Sequence, residues 1–311
     1  MPTSFREIAI PGSTSNLGPA FDALSVAVTL YLRLRILDVR TDPAGGLDLL
    51  FEGGAAPGGE NRIEAAYRLA CARAGRPGRT LRVAVSSEIP LAAGLGSSAA
   101  AAVAGLLLYE AAAGIDLGSD KLVLATELER HPDNAAASLL GGMTVSCACD
   151  DGRIIARAWP WPQDIRLIVA TPDVQLPTHT ARGVVPDRIP MEDAIANLQR
   201  ALLLVRALES GEYGDIREAM KDRWHQPPRT PLVPGLADAL VIDHPSVLGV
   251  CLSGAGPSVL ALAAPGRADE AAAVLADCYR RRRVPATIRN LAAHPPAATT
   301  LPLAAERERT A

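Results

Sequence analysis

Lysine is missing from the first 120 residues of this 311-residue chain. With it goes the loop G-x-x-x-x-G-K-[ST], which holds a phosphate chain through a lysine ammonium. No G-x-G-x-x-G opens a helix either, so the fingerprint of a dinucleotide fold is lacking. Aromatic residues make up only 4% of the sequence, against a hydrophobic share of 49%, so a core must be built from aliphatic and small side chains. A formal net charge of −3 gives no electrostatic reason to expect nucleic acid or a membrane surface as partner. No apolar run reaches the length of a membrane span, and residues 1–10 lack the apolar stretch of a secretion signal. The expectation is a cytoplasmic protein. Cys71, Cys147, Cys149, Cys251 and Cys278 show no metal-ligand spacing, and an odd count without a secretion signal predicts reduced, mostly buried thiols.

What the chain does have is the stretch I-P-L-A-A-G-L-G-S-S-A-A-A-A-V-A at residues 89–104. Before it, Leu81, Val83 and Val85 alternate with Arg82 and Ala84, the period of a half-buried strand. Pro90 ends the ladder because it has no N–H to donate. Gly94 and Gly96 permit left-handed backbone angles. Ser97 or Ser98 can then cap an alanine-rich helix running to about Ala112. A glycine-rich loop opening a helix gathers exposed N–H groups at the positive end of the helix dipole, which makes an anion site. Two adjacent hydroxyls at its mouth suit a phosphate that carries a metal ion.

Along the rest of the chain, residues 4–10 predict a strand ended by Pro11-Gly12, and residues 11–22 are too polar and broken for regular structure. Residues 28–36 alternate as an antiparallel strand with one solvated face, with a short partner at 47–52 and a turn at 57–60. Asn61 and Glu64 resemble a capping box for a helix to about Ala74. Helices are predicted at 121–130 and 133–140, and strands at 143–149 and 153–158. W-P-W-P-Q-D interrupts the pattern near 158–164, where a domain boundary is expected. Beyond it come a strand at 166–171 and an amphipathic helix at 191–209 with Ile195, Leu198, Leu202, Val205 and Leu208 on one stripe. Helices at 236–242 and 268–281 and strands at 247–252, 259–262 and 285–290 follow. Helices and antiparallel strands mix without a regular βαβ rhythm, which reads as α+β in two layers. Arg280, Arg281, Arg282 and Arg283 fall at a helix C-terminus, where positive charge complements the dipole and is solvated.

Pro90, Leu91, Ala92, Ala93, Gly94, Leu95, Gly96, Ser97, Ser98, Ala99 and Ala100 together resemble the P-x-x-x-G-L-G-S-S-A-A motif of the GHMP kinases, at every fixed position. Two further segments resemble that superfamily's other motifs, P-G-S-T-S-N-L-G-P-A-F-D at 11–22 and L-S-G-A-G-P-S at 252–258. Within it, H-P-D-N at 131–134, L-L-G-G at 139–142 and T-H-T-A-R at 178–182 are similar to segments of the homoserine kinases, as are Asn197 and Arg229 in their contexts. The sequence departs from that pattern at Ala20, Ser25 and Arg130, where glycine is usual, and in the order Ser13-Thr14-Ser15. The resemblance implies the GHMP kinase fold: an S5-like N-terminal ATP-binding domain at 1–158 and a ferredoxin-like C-terminal domain at 159–294. The composition of the tail at 295–311, Pro, Ala, Thr and charge, predicts disorder.

It also implies ATP and Mg²⁺ as cofactors and a small-molecule substrate, L-homoserine, phosphorylated for threonine synthesis. Residues 90–100 would bind ATP. Ser98 and Glu127 would hold Mg²⁺; Glu129, two residues on, points to a different helix face. Arg182 and Arg229 would take the substrate carboxylate, the arginine fork matching its two oxygens. Asp22 and Asn16 would receive the ammonium and part of the hydroxyl end, with His131 and Gly254 lining the pocket. Asp133, Asn134 and Asp22 are the candidates near the reacting hydroxyl, and no dedicated base is assigned. A homodimer is possible. The competing readings are a GHMP kinase for another small alcohol, such as mevalonate or a sugar, and a non-catalytic GHMP-fold binding protein. Mevalonate has no ammonium for Asp22, and a non-catalytic relative would be expected to lose the loop or its metal residues.

Overall fold

A computed structural model describes residues 7–40, 45–53 and 60–297. The expected strand residues 4–6, the turn residues 57–59 and the tail from 298 onward lie outside the described residues. The first half is a six-stranded sheet covered by helices. It comprises β1 (Glu7–Ser15), β2 (Leu24–Arg40), β3 (Gly46–Phe51), α1 (Arg62–Ala74), β4 (Thr80–Ser87), α2 (Ser97–Ala113), α3 (Asp120–Glu129), α4 (Asp133–Leu140), β5 (Met143–Ala148) and β6 (Ile154–Trp159). The strand order is β3-β4-β2-β5-β6, with β1 also paired to β2. Asn61 caps α1 as expected, its side chain accepting from the Ile63 N–H at 2.9 Å. The 47–52 strand pairs parallel with β4 rather than with β2, because α1 carries the chain across between them.

One expectation fails in an instructive way. Residues 11–15 are not irregular: β1 continues through Pro11-Gly12 to Ser15, with a register shift there. The missing proline N–H is absorbed by a bulge rather than ending the strand. Ser13, Thr14 and Ser15 are therefore buried in the sheet and tied down by β2.

The second half comprises β7 (Leu167–Pro172), α5 (Thr178–Gly183), α6 (Met191–Ser210), α7 (Ile216–Ala219), α8 (Gln226–Arg229), α9 (Leu236–Leu240), β8 (Val247–Leu252), β9 (Val259–Ala263), α10 (Ala268–Arg281) and β10 (Ala286–Leu291). Its sheet runs β10-β7-β9-β8, antiparallel throughout. Counting the helices between strands, this is a βαββαβ unit, the ferredoxin-like arrangement. The α+β class holds. After β10 the chain returns to the first sheet. His294 N–H donates to the Ala27 carbonyl, the Thr29 N–H donates to the Ala292 carbonyl, and the Gly142 N–H donates to the His294 carbonyl, at 2.8–3.0 Å. Residues 295–297 are thus placed rather than disordered, with the Ala297 N–H on the Leu140 carbonyl.

Helix α2 is nearly all buried, as its alanine run on every face requires. Helix α6 is different. It turns Asn197, Leu204, Ala207 and Leu208 inward, while Leu198 and Leu202 of the predicted stripe stay 62% and 64% exposed. Asn197 sets this rotation: it donates to Asp222 at 2.6 Å and accepts from the Arg223 N–H at 2.9 Å. Of the cysteines only Cys251 is buried, and Cys147 is exposed, so the expectation of mostly buried thiols is corrected. The arginine run is solvated and pairs with acids on α10 and α9, Asp277 and Asp238. Among the described residues no helix is long and apolar enough to cross a membrane.

Candidate active site

Three glycine-rich segments far apart in sequence meet where the two halves touch. The loop before α2 takes the Ser13 N–H on the Leu95 carbonyl at 3.1 Å and the Ser258 N–H on the Ala93 carbonyl at 3.2 Å. The Ser253 hydroxyl donates to the Gly94 carbonyl at 2.6 Å. A Cβ on Gly94 would lie 2.3 Å from the Ser253 carbonyl oxygen, and one on Gly96 2.1 Å from the Ser13 hydroxyl. Both glycines also have φ near +70°. Closeness and backbone angle each demand glycine here.

Gly96, rather than either serine, is the N-cap of α2, and no side chain caps this helix end. The first-turn N–H groups therefore face outward with no intrahelical acceptor. Ser97 and Ser98 are left to line the cleft. The Ser98 hydroxyl donates to Glu129 at 2.6 Å. Glu127 does not come near the loop. It lies on the outer face of α3, 42% exposed and paired with Arg73, whereas the Glu129 side chain is only 9% exposed. Two residues on a helix are about 200° apart, so only one could face the serine; it is Glu129, and the expected Glu127 points away from it. Leu95, Ala99 and Ala100 are buried in the core, while Ala92, Ala93, Gly94 and Gly96 line the cleft.

Asn16, Asp22, His131, Asp133, Asn134, Arg182, Arg229 and Gly254 all border this same cleft. Asp22 and Arg182 form a two-fold hydrogen-bonded pair, with Nη1 to Oδ2 at 3.1 Å and Nη2 to Oδ1 at 2.6 Å. Asn16 acts mainly as a strut: its Oδ1 accepts from the Asp22 N–H and its Nδ2 donates to the Gly254 carbonyl, both at 3.0 Å. Asn16, Leu17 and Asp22 all have positive φ, so this segment is held in a conformation that side chains resist. Asn134 is fixed by the Ser13 hydroxyl at 2.8 Å and by Ser15 at 3.1 Å.

Asp133 is 1% exposed and bonds His131 Nδ1 at 2.7 Å. Burial alone would raise the Asp133 carboxyl and lower the His131 imidazole. Their mutual attraction reverses both, so that Asp133 lies below the usual carboxylate range and His131 above its ordinary value. Asp22, His131 and Asp133 bring ligand atoms within 4.8 Å of one another. Arg229 is 1% exposed. Its Nε donates to the Ala181 carbonyl and its Nη1 to His225 Nδ1, both at 2.9 Å. Burial, and then the charge of Arg182, push it down to about 10. Most of its fork is used inside the protein, so it is not the open two-toothed clamp that the sequence predicts.

The sequence reading missed several neighbours. Phe21 lies under both guanidinium groups, at 5.3 Å from Arg182 and 5.2 Å from Arg229. Thr178 and Ala255 also line the cleft. On the other side of Ser97 and Ser98 a second, more apolar cavity is walled by Leu32, Phe51, Val85, Ile89, Pro90 and Leu91, with Asn61 and Arg62 at its edge. Only chain-distant packing creates it, so no local signal announces it.

Comparison with known proteins gives a consistent result. Residues 61–142 match the family described as GHMP kinases N terminal domain, and residues 204–281 match GHMP kinases C terminal. The homoserine kinase of Moorella thermoacetica is 38% identical over 287 residues, covering 92% of this chain and 96% of its own length. That of Thermus thermophilus is 40% identical over 269 residues, 86% of this chain and 88% of its own. Among solved structures, homoserine kinase from Cytophaga hutchinsonii superposes with a TM-score of 0.78 at 24% identity, covering 93% of this chain and 94% of that one.

Proposed function

Because the chain belongs to the GHMP kinases, and within them to the homoserine kinase family, we propose that it transfers the γ-phosphoryl group of ATP to the side-chain hydroxyl of L-homoserine. The product is O-phospho-L-homoserine, on the route to threonine. The observation that carries the substrate is the Arg182–Asp22 pair in the cleft wall. A guest with a carboxylate and an ammonium exchanges that one pair for two, giving Arg182 an anion and Asp22 a cation. A guest with a single charge separates the pair and leaves one member without its partner, which disfavours it. Zwitterions are thereby selected.

ATP fits across the two cavities. The apolar walls around Phe51, Val85 and Pro90 suit a nucleobase, and Ser97 and Ser98 border both cavities. The phosphates would then cross the N-terminus of α2, where N–H groups and the helix dipole favour negative charge. A buried carboxylate and a hydroxyl 2.6 Å apart beside that site form a donor set of hard oxygens, which suits Mg²⁺. Ser98 and Glu129 would hold the ion, and when bound it neutralises phosphate charge. Phosphoryl transfer demands positioning and charge neutralisation more than a strong base. Asp133, committed to His131, and Asn134, held by two serines, would orient the hydroxyl end of the substrate. The same reading divides the chain near residue 158 into a nucleotide-binding half and a half that supplies Arg182, Arg229 and Gly254. The two separate sheets support that division.

A homodimer belongs to the proposal, through α6. Met191, Ile195, Leu198 and Leu202 are exposed at alternating spacings of four and three, the pattern of a helix–helix seam. Glu192 and Arg206 lie on one flank of that seam, near opposite ends. Two copies laid antiparallel bring Glu192 of each against Arg206 of the other, a self-complementary two-fold contact.

A coupled ADP-release assay across L-homoserine, mevalonate, galactose and shikimate tests the substrate. Turnover confined to L-homoserine is expected. Efficient use of mevalonate or a sugar would move the protein elsewhere in the superfamily.

A further inference from the structure

His225 lies outside the set of groups that face the cleft, yet it touches two elements that build it. Its ring is fully buried and stacks on Phe21, with centroids 4.9 Å apart and planes at 15°. Nε2 lies 2.7 Å from the Gly18 carbonyl, and Nδ1 lies 2.9 Å from Arg229 Nη1. An arginine nitrogen only donates and a carbonyl only accepts. Nδ1 must therefore be the acceptor, and Nε2 must carry the proton. Both contacts hold together only for a neutral ring in this one tautomer. The histidine is itself oriented from behind, because Asp222 accepts the backbone N–H groups of His225 and Gln226, at 2.9 and 2.6 Å.

We propose that His225 is a positioning residue for the substrate end of the cleft: its Nδ1 aims Arg229, and its Nε2–H pins the strained loop that carries Asn16 and Asp22. The inference rests on the homoserine reading for its functional consequence. Its structural content is independent of that reading. Arg229 donates elsewhere to Ala181 and Gly254, so Nη2 is the nitrogen left to address a carboxylate. A shift of the histidine turns that nitrogen away. Gly18 is held from its other side by Met220, where a Cβ would meet the carbonyl oxygen at 2.1 Å.

The ring has a built-in sensitivity to acid. A second proton would turn Nδ1 from acceptor to donor and set imidazolium against guanidinium. The charged groups acting on the ring are Asp222 from its own turn, Arg229 from α8 and Asp22 from the N-terminal loop, with the buried thiol of Cys251 on β8 facing Asp222. Burial is the largest influence, and on balance it holds His225 below its ordinary value.

Two substitutions separate the two contacts. In His225→Asn the amide oxygen takes the place of Nδ1 and keeps an acceptor for Arg229. In His225→Gln the amide nitrogen takes the place of Nε2 and keeps only the donor to Gly18. His225→Gln should raise KM for L-homoserine by about tenfold, the scale of one charged hydrogen bond. KM for ATP should stay within about twofold and the melting temperature should stay near that of the parent, while His225→Asn keeps more of the substrate affinity. Nitrogen-15 NMR of the parent protein at neutral pH should show one histidine protonated at Nε2 and bare at Nδ1. An Nδ1-protonated ring, or equal rises in KM for ATP and homoserine with both variants, would overturn the proposal. Because the tautomer is read without substrate, preference for another alcohol would sink the functional reading while leaving this measurement decisive.

Discussion

Arg182 grips Asp22 through two hydrogen bonds across a gap of 160 residues in sequence, joining α5 of the second half to the N-terminal loop of the first. Phe21, the residue before that aspartate, lies beneath the same guanidinium. The pair thus serves as a charge gauge at the point where the halves meet, and its first consequence concerns selectivity. 4-Hydroxybutyrate keeps the carboxylate and the accepting hydroxyl of homoserine but lacks the ammonium. It should be a poorer substrate by about ten- to a hundredfold in kcat/KM, from the loss of one charged contact. Asp22→Asn should narrow that gap, because a neutral amide no longer demands a cation. Equal kcat/KM for the two compounds in the parent protein would show that the ammonium is not read.

The metal assignment is tested on α3. Glu129→Gln should shift the Mg²⁺ dependence of turnover to higher concentrations, and Ser98→Ala should reduce turnover by roughly two orders of magnitude. Glu127→Gln should do neither, since its partner is the surface residue Arg73. A magnesium titration of all three variants checks this. A shift in Glu127→Gln alone would contradict the geometry.

The His131–Asp133 pair predicts a pH dependence with a definite sign. The folded-state value of His131 lies above its ordinary one, so its stabilising effect is complete below about pH 6.5. That effect fades as pH rises through the folded value. Asp133 lies below its ordinary value, so its effect is lost at the acid end, as pH falls through that lowered value. Asp133→Asn removes the attraction and leaves burial as the main influence on His131. Proton NMR titration should then find the imidazole below pH 6.5 rather than above it.

Arg130 occupies the left-handed C-cap of α3 with φ +67° and is exposed. A non-glycine residue there costs roughly 1–2 kcal/mol in backbone strain, partly offset in glycine by its greater chain entropy. Arg130→Gly should therefore stabilise the protein by about 0.5–1 kcal/mol. Chemical denaturation of the two proteins measures it, and an unchanged midpoint would mean the strain is relieved elsewhere.

The seam on α6 predicts an association behaviour. Leu198→Glu should yield a monomer in light scattering coupled to size exclusion, with the fold intact by circular dichroism. Glu192→Arg and Arg206→Glu should each weaken the dimer, and the two together should restore it, since the paired charges are only exchanged. A parent protein that is monomeric at tens of micromolar would dispose of the seam.

The phosphate loop was legible because everything it needs is local: a proline to stop a strand, two glycines, and an alanine-rich helix behind them. The set of residues around the cleft was legible by resemblance to known motifs. What the sequence could not show were the choices made by packing. Glu127 and Glu129 are equally plausible by residue type, and only the seating of α3 on α1 and α2 decides which faces Ser98. Pro11 has the chemistry of a strand breaker, but a bulge accommodates it. The apolar stripe of α6 looks like a core face, yet with the amide of Asn197 buried the helix leaves Ile195, Leu198 and Leu202 of that stripe outside. Phe21 and His225 carry no local signal, because their importance comes from what stands next to them in space.

The return of residues 292–297 to the first sheet has a mechanical consequence. The second half leaves the first at about residue 160 and is stitched back beside β2 through Ala27 and Thr29, so the chain crosses between the halves twice. Between those two crossings lie the contacts of Ser253, Gly254 and Ser258 with Ser15 and the glycine loop, so the way Arg182, Arg229 and Gly254 face Asp22 is fixed from both ends of the second half. Cutting the chain after residue 158 would leave Ala27 and Thr29 of β2 without residues 292–294, whose backbone now bonds them.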